Sequence, residues 1–175
     1  MAVFQRIREF FIPAEVEPEA VIPAPMTVYS IRPLTEKNLK EVLRLNLRCF
    51  KAGENYTKYT FSYLLTEPNT LSYRMVTPAD QMVGFIFIMV NENGVGHITT
   101  IGVAPEHRRR GLALELLGHA ENAVRQRDVS MMSLEVRVSN IAAQTLYNSC
   151  GYSIVQRLKE YYNNGEDGFL MVKPL

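Results

Sequence analysis

Three arginines and a glycine stand together within residues 98–113, where an alternating apolar run leads through a short turn into a helix-like pattern. A strand that delivers a basic, glycine-containing loop to a helix N-terminus forms an anion site, because free backbone N–H groups and the positive end of the helix dipole meet there. Gly111 lacks the Cβ that would keep a phosphate away from that backbone. Arg108, Arg109 and Arg110 add long-range attraction for a polyanion. The segment therefore predicts a site for a pyrophosphate.

The spelling of this segment, Arg-x-x-Gly-x-Ala, is weak evidence when taken alone. From average residue usage, such a pattern arises by chance in roughly one chain in ten. A solvated basic loop is the simpler explanation of three adjacent arginines. The strand before the loop and the helix after it are the context that such a motif requires, and they favour the anion site.

Length and composition are those of one soluble globular domain. The chain has 175 residues, 47% of them hydrophobic and 21% charged, with a formal net charge of +1, and it is long enough to bury a core. This balance gives no support to bulk nucleic-acid or membrane binding. No apolar run approaches the roughly 20 residues that a membrane span needs, so we expect a cytoplasmic protein. Cys49 and Cys150 lie in apolar, helix-like stretches and are expected to be buried free thiols rather than a disulfide or a metal site.

The first 26 residues differ from the rest of the chain. Residues 4–11 carry an apolar stripe of a short helix, and residues 12–25 contain four prolines and three glutamates. Charged residues inside the apolar stretch argue against a signal peptide. We therefore predict an N-terminal appendage and proline-rich linker over residues 1–26, followed by a single domain over residues 27–175.

The remaining residues carry regular strand and helix patterns. Strands are predicted at residues 28–32, 71–77, 82–90, 96–103, 131–138, 153–158 and 167–173. Helices are predicted from an N-cap at Thr35 through Phe50, at residues 59–65, directly after Gly111, and at residues 141–150. On the first helix, the inner face would carry Leu39, Val42, Leu43, Leu47 and Phe50. Early antiparallel strands followed by a β-α-β-α-β-β order predict an α/β fold with a mixed central sheet flanked by helices.

Five ordered motifs within residues 28–175 resemble the GNAT acyl-CoA-dependent N-acetyltransferases. The first is the arginine segment, and the second is Leu134-Glu135-Val136-Arg137-Val138-Ser139-Asn140, followed by Leu146-Tyr147. The others are Glu54-Asn55-Tyr56, Gly96-His97-Ile98-Thr99, and Lys159-Glu160-Tyr161-Tyr162 leading to Gly165-Glu166-Asp167. Within the family the chain is most similar to the protein N-terminal acetyltransferases, which include archaeal enzymes and the RimI-like bacterial ribosomal-protein alanine acetyltransferases. The joint occurrence of these motifs is far more specific than any one of them.

The resemblance implies an acetyl-CoA site and the residues that form it. The pantetheine arm would pair with the backbone of Ile101, Gly102 and Val103. The pyrophosphate would be held by the motif that Arg108 opens, through the amides of Arg109, Arg110, Gly111, Leu112 and Ala113. Asn140 matches a position that hydrogen-bonds the cofactor. No three histidines or cysteines converge at metal-ligand spacing, so no metal is expected.

The resemblance also implies the catalytic residues. Tyr147 matches a tyrosine near the thioester sulfur, where it would donate a proton to the departing thiolate; the simpler alternative is a core tyrosine with a satisfied hydroxyl. Glu135 alternates with Leu134 and Val136 and so faces away from the side that they bury. A lone strand carboxylate is usually solvated, but relatives place a glutamate or histidine there as the base. His97 matches a His or Tyr that accepts a proton or holds a water, although a single histidine is more often structural.

The acceptor slot implied by the resemblance is built from loops. Glu54 and Tyr56 match a motif that contacts the leading residues of a peptide, and Tyr161 and Tyr162 match paired tyrosines that hold its backbone. This chain has Ala52-Gly53 where many relatives have Leu-Pro, which leaves the preferred first residue open. The alternative is that the paired aromatics form a cross-strand hairpin contact. His107 and His119 are expected at the surface or at the cofactor rim.

The function implied is direct transfer of an acetyl group from acetyl-CoA to the α-amine of a protein or peptide N-terminus, ribosomal proteins included. Activity on a small-molecule amine, or an acyl-CoA-binding module without turnover, are the alternatives. The sequence gives little support to nucleic-acid binding through the arginines, because the basic residues do not extend across a wider stripe. An auxiliary subunit or a homo-oligomer is compatible with the sequence.

Overall fold

A single seven-stranded mixed sheet organises the molecule, with strand order β1-β2-β3-β4-β5-β7-β6. The structure is a computed structural model that describes residues 21–50 and 55–175. Its strands are β1 (Ser30–Pro33), β2 (Thr70–Val76), β3 (Met82–Val90), β4 (Val95–Val103), β5 (Met131–Arg137), β6 (Ser153–Leu158) and β7 (Gly168–Pro174). Neighbouring strands are antiparallel except β4 and β5, which are parallel.

Helices cover the sheet. Among the described residues the α-helices are α1 (Leu39–Cys49), α2 (Lys58–Thr66), α3 (Leu112–Arg125) and α4 (Ile141–Ser149), with short 3-10 turns at Glu36–Asn38 and Pro105–His107. Both α1 and α3 pack against β3. That strand reads as a nearly continuous apolar run, which is typical of a strand covered on both faces. The predicted α/β fold with a mixed sheet flanked by helices is confirmed; residues 1–20 lie outside the described part, and the predicted domain boundary stays a prediction.

Two local predictions at the N-terminal end hold only in part. β1 begins at Ser30 rather than at residue 28, because Ser30 pairs with Val76, the last residue of β2, so residues 28–29 extend past the end of that strand. Thr35 is an N-cap as predicted, but it caps the 3-10 turn that runs directly into α1; its amide donates to Asn38 Oδ1 at 3.1 Å.

The inner face of α1 also differs from the prediction. Val42 and Leu45 are buried, but Leu47 is 65% exposed. The buried face instead includes the polar residue Asn46, whose side-chain amide donates to the Tyr56 carbonyl oxygen at 3.2 Å. At 100° per residue, Leu47 is rotated out of the stripe that Asn46 occupies. The core face of α1 therefore includes Asn46, a polar residue with a backbone partner, where the pattern predicts the apolar Leu47.

Both cysteines are free thiols, but each is half-buried rather than fully buried. Burial raises the pKa of the Cys49 thiol to about 11, and it also raises that of Cys150. The two thiols are therefore protonated near neutral pH.

The parallel pair β4 and β5 separates partway along its length. Register pairs join Val95 to Met131, Gly96 to Met132 and His97 to Ser133, and the pairing ends there. β5 continues in full register with β7, so β5 leaves β4 while staying in the sheet. On its other edge, β4 has a bulge that leaves Thr99 without a partner in β3, since Phe87 pairs with Thr100 and Ile88 with Ile98. Bulges bend a strand and increase its twist, so this one helps β4 to diverge.

Candidate functional site

A hydrogen-bonded pair of side chains, His97 and Glu135, lies where β4 and β5 separate. His97 Nε2 lies 2.7 Å from Glu135 Oε2, and the two side chains are 35% and 20% exposed. Glu135 comes two residues after the last paired position of β5, and its neighbours Leu134 and Val136 are buried on the opposite face. The predicted orientation of Glu135 is thus confirmed. A carboxylate in contact with an imidazole, both reachable from solvent, can accept a proton and share it.

Three tyrosines surround this pair, and we call them the tyrosine cluster: Tyr56, Tyr161 and Tyr162. Burial, together with Tyr161 and Glu135, raises the pKa of the Tyr56 hydroxyl, and burial and Glu135 raise that of Tyr161. The Tyr56 hydroxyl donates to the Thr99 carbonyl oxygen at 3.0 Å, which ties the segment before α2 to the bulge of β4. Glu54, predicted beside Tyr56, lies outside the described residues.

The paired tyrosines belong to the loop between β6 and β7, and they do not face each other across a hairpin as in the alternative interpretation. The rings of Tyr161 and Tyr162 meet edge to face with centroids 5.1 Å apart. Sequence reasoning did not find what holds them. The Arg137 guanidinium lies 3.8 Å from the centre of the Tyr162 ring and 2.8 Å from Glu166 Oε2. Glu166 Oε1 also accepts from the Ser139 amide at 3.0 Å, so the loop is fastened to the end of β5.

Tyr147 lies on α4 and is 7% exposed. Burial, with Tyr162 and Cys150 nearby, raises the pKa of its hydroxyl well above the usual range. Its ring also packs against Tyr152, with centroids 5.8 Å apart. The hydroxyl therefore stays protonated at any physiological pH and can act as a hydrogen-bond donor.

A cleft of about 500 Å³ opens between the start of α3 and helix α4. Its lining includes Val103, His107, Arg109, Gly111, Ala113 and Leu146. His107 is 5% exposed and lines this cleft, so it is buried and not at the surface, whereas His119 is exposed. Gly102 lies in β4, one residue before Val103 of the cleft lining. A Cβ at this position would lie only 2.8 Å from the Phe85 ring, so close packing requires a glycine here.

The cleft is bordered by what we call the arginine loop, residues 104–111. Arg109 and Gly111 have φ values of +61° and +78°. Glycine adopts this left-handed region readily because it has no Cβ, whereas the conformation is unfavourable for arginine. Gly111 is the N-cap of α3 and carries no side chain to satisfy the first turn. Among the described residues, the amides of Arg109, Arg110 and Gly111 have no backbone acceptor. Unsatisfied amides at a helix N-terminus form a cradle for an anion.

The side chains of the three arginines have different surroundings. Arg108 Nε donates to the Val103 carbonyl oxygen at 3.0 Å, and its Nη2 donates to that of Cys49 at 3.2 Å. Arg110 donates to backbone oxygens of residues 24 and 25 and to the Tyr29 hydroxyl. Only Arg109 has no side-chain partner within the described part of the chain. Two of the arginines thus brace the loop, and Arg109 is left to face a ligand.

Asn140 occupies the N-cap of α4, and its Oδ1 accepts from the Ala143 amide at 3.1 Å. This leaves the side-chain NH2 group as a donor at the exposed start of the helix. Residues 21–50 and 55–175 bring no three metal-binding side chains together. Within the same residues, no helix combines the length and apolar character needed to cross a membrane.

Comparisons with known proteins identify relatives of this chain. The model of the Acetyltransferase (GNAT) family matches residues 39–152. The chain is 36% identical over 148 residues to the N-terminal acetyltransferase complex ARD1 subunit homolog of Dictyostelium discoideum, covering 82% of this chain and 71% of that protein. It is 30% identical over 160 residues to the N-alpha-acetyltransferase of Saccharolobus solfataricus, covering 84% and 93%.

A solved structure supports the same assignment. The crystal structure of the ribosomal-protein-S18-alanine N-acetyltransferase from Escherichia coli superposes with a TM-score of 0.76 at 27% sequence identity, covering 84% of this chain and 94% of that one. The resemblance inferred from the sequence motifs is thereby confirmed. The chain belongs to the GNAT family of acetyltransferases.

Proposed function

We propose that the protein transfers an acetyl group from acetyl-CoA to the α-amine of a protein or peptide N-terminus. The observation that carries the proposal is the contact of His97 with Glu135 at the point where β4 and β5 separate. The tyrosine cluster lies beside this contact, and the cleft of the arginine loop lies beyond it. A donor bound in the cleft and an acceptor held by the tyrosine cluster would meet at this pair.

The residues of the cleft fit the coenzyme. The pyrophosphate would accept hydrogen bonds from the amides of residues 109–113, and Arg109 would add a charge. The freed edge of β4 at Ile101, Gly102 and Val103 would pair with the amide-bearing arm, because β5 no longer occupies it. The coenzyme supplies an activated thioester, and the nearby backbone N–H groups would stabilise the charge that develops on its carbonyl oxygen.

Glu135 would act as the general base and His97 as its partner. The α-amine of a peptide has a pKa near 7.7–8.0, so much of it is protonated at neutral pH and must lose a proton before it attacks. Glu135 would take this proton directly or through one water. His97, at 2.7 Å, would hold the carboxylate in place and share the proton.

Tyr147 would stabilise the departing thiolate by donating a hydrogen bond. Full proton transfer is unfavourable, because thiols have pKa values near 8.5 and burial raises the pKa of Tyr147 above the usual value of about 10 for a tyrosine. The hydroxyl therefore contributes as a protonated donor, and the thiolate takes its proton later from solvent. This refines the proton-donor role expected from the sequence.

The tyrosine cluster favours an extended N-terminus as the acceptor. Tyr56 and Tyr161 are both close enough to Glu135 for the carboxylate to influence their pKa values. Aromatic side chains beside the base would narrow the acceptor slot, so a short main-chain amine would fit there better than the flexible stem of a lysine. Glu54 would contact the first residues of the same peptide.

The partners proposed are protein N-termini in the cytoplasm. The relatives named above are N-terminal or N-alpha-acetyltransferases, one of them a subunit of a complex and one specific for a ribosomal protein. A second subunit or a second copy is therefore a partner to look for in this protein as well.

Mass spectrometry of peptides incubated with acetyl-CoA tests the proposal. A library varying the first residue would carry one internal lysine in every member, and a matched library would have the α-amine blocked. We expect acetylation at the α-amine in the first library and none at the lysine in either. Modification of lysine alone, or of free polyamines and amino acids but no peptide, would contradict the proposal.

A further inference from the structure

The segment before β1 lies against the arginine loop. The Ala24 amide donates to the Glu106 carbonyl oxygen at 2.9 Å. In return, Arg110 Nη1 donates to the Pro25 carbonyl oxygen at 3.0 Å, and its Nη2 donates to that of Ala24. This segment precedes residues 39–152, the part that the family model matches. The arginine loop is therefore held by residues that precede the part of the chain matched by the family model.

Tyr29 extends the contact toward the cleft. Arg110 Nη1 donates to the Tyr29 hydroxyl at 2.7 Å, which leaves the hydroxyl hydrogen for His107 Nδ1 at 2.9 Å. The two rings also meet edge to face, with centroids 5.7 Å apart. Burial lowers the pKa of His107, which favours the neutral form that can accept this hydrogen. Because His107 lines the cleft, the chain of contacts runs from the N-terminal segment to the ligand site.

The loop needs such support, because its backbone is unfavourable by itself. Arg109 has a φ of +61°, a conformation in which a side chain with a Cβ is disfavoured. Arg108 braces one side of it through the backbone of β4 and α1. Arg110 braces the other side through residues 24–29. Between these two supports, Arg109 and the free amides are presented to the cleft.

We propose that residues 24–29 are a clasp that holds the arginine loop in its anion-binding conformation, with Arg110 and Tyr29 as positioning residues. The affinity for the coenzyme then depends on the N-terminal segment, although that segment does not touch it. A ligand that binds a preformed loop does not pay the free energy of ordering that loop. Loss of the clasp therefore weakens binding of the coenzyme. This inference rests on the proposed acetyl-CoA site.

Calorimetric titration of the full chain with CoA tests the clasp. Tyr29→Phe removes one hydroxyl without changing any charge, and Arg110→Lys keeps the charge but cannot reach its three acceptors together. We expect the Kd for CoA to rise about fivefold to tenfold in each variant. In kinetic assays the KM for acetyl-CoA should rise in parallel, while the KM for the peptide stays at the wild-type value.

Tyr59→Phe is the matched control, because Tyr59 is 86% exposed and loses the same hydroxyl; its Kd should equal that of the wild type. Wild-type affinity in Arg110→Lys would show that charge alone suffices, and would overturn the clasp. A lowered Tm with unchanged Kd in Tyr29→Phe would overturn it as well, because the contact would then serve stability only. Failure of the wild-type protein to bind CoA would instead refute the proposed function itself.

Discussion

The two sides of the site offer different chemical groups to a ligand. On the side of the arginine loop, the groups offered to a ligand are backbone amides at the start of α3, and the left-handed conformations of Arg109 and Gly111 expose them. On the side of the tyrosine cluster, the groups offered are side chains, with Glu135, His97 and the tyrosines coming from two strands and two loops. The first side is local in sequence, and the second is assembled from segments up to about a hundred residues apart.

This difference matches the chemistry that each side would perform. A diphosphate is the same in every turnover, so a fixed set of backbone donors serves it well. An acceptor amine must lose a proton, and only titratable side chains can take it. Substitutions on the two sides should therefore affect different kinetic constants.

The largest effect is expected from Glu135→Gln. The amide cannot accept the proton of the incoming ammonium, so kcat should fall by roughly 10²–10⁴-fold, the usual range for loss of a general base. The KM for acetyl-CoA should change little, because Glu135 does not line the cleft beside the arginine loop. Steady-state kinetics with a good peptide substrate measure both constants.

The matched control is Glu92→Gln, at the exposed turn between β3 and β4, which should leave both constants unchanged. A Glu135→Gln enzyme with wild-type kcat at neutral pH would remove Glu135 from the role of base. A rise confined to the KM for acetyl-CoA would contradict the division into two sides.

Gly111→Ala should affect the other side alone. A Cβ at this position meets nothing within 4 Å, so the substitution acts through the φ of +78° and not through a clash. The left-handed conformation costs about 1–2 kcal/mol for a residue with a Cβ. The loop relieves this strain by leaving the cradle conformation, and the KM for acetyl-CoA should rise about tenfold.

Gly118→Ala in the same helix α3 separates strain from any general effect of alanine. Its Cβ also meets nothing within 4 Å, and its φ is not positive. We expect a gain of about 0.5–1 kcal/mol in stability and no change in the KM for acetyl-CoA. Equal KM values in the two variants would show that the conformation of Gly111 is not required.

Tyr147→Phe is expected to lower kcat about tenfold or less. The phenyl ring fills the same buried space, so the variant loses only the donor that would stabilise the thiolate, and a thiolate needs modest help to leave. Peptide and acetyl-CoA KM values should be close to those of the wild type. Full activity in Tyr147→Phe would return Tyr147 to the alternative of a core tyrosine.

The smallest expected effect concerns the stability of the fold at low pH, through Glu166, which fastens the loop of Tyr161 and Tyr162 to the end of β5. Hydrogen bonds from Ser139 and Arg137 lower the pKa of the Glu166 carboxyl from 4.5 to about 2. A depressed carboxyl pKa stabilises the fold fully above about pH 4.5, and this contribution is lost as the pH falls toward 2. Glu166→Gln should thus be less stable than the wild type at pH 6 and lose less further stability between pH 4.5 and pH 2.

Thermal unfolding followed by circular dichroism at several pH values measures this difference, with Glu92→Gln again as the control. Parallel pH profiles for Glu166→Gln and the wild type would show that the bonds to Glu166 do not stabilise the native state.

The arginine loop could be predicted from sequence because its determinants are consecutive. The strand, the turn, Gly111 and the helix all fall within residues 98–113, and the structure places each where the pattern indicates. The fold class followed from strand and helix periodicity for a similar reason. Residues 82–90 and 153–158 were predicted with the bounds that the structure has.

The tyrosine cluster and the proposed catalytic roles of His97 and Glu135 could be predicted only through the resemblance to known enzymes. Nothing local marks Glu135 as a partner of His97, since the two are 38 residues apart and meet only because β4 and β5 pair and then separate. No local sequence pattern marks the bulge at Thr99 or the contact of Arg137 with the Tyr162 ring. Leu47 was placed wrongly because periodicity cannot tell that Asn46 is satisfied inside the core.

The central claim is that a donor and an α-amine meet where β4 and β5 separate. The most direct test is the affinity of CoA joined by an acetyl bridge to the α-nitrogen of a peptide, compared with an isomer joined through an internal lysine. The account predicts that the α-linked conjugate binds at least about 10²-fold more tightly than CoA, because it occupies both sides at once, and that the lysine-linked isomer gains little. Equal affinities for the two conjugates, or an α-linked conjugate that binds no better than CoA, would contradict it.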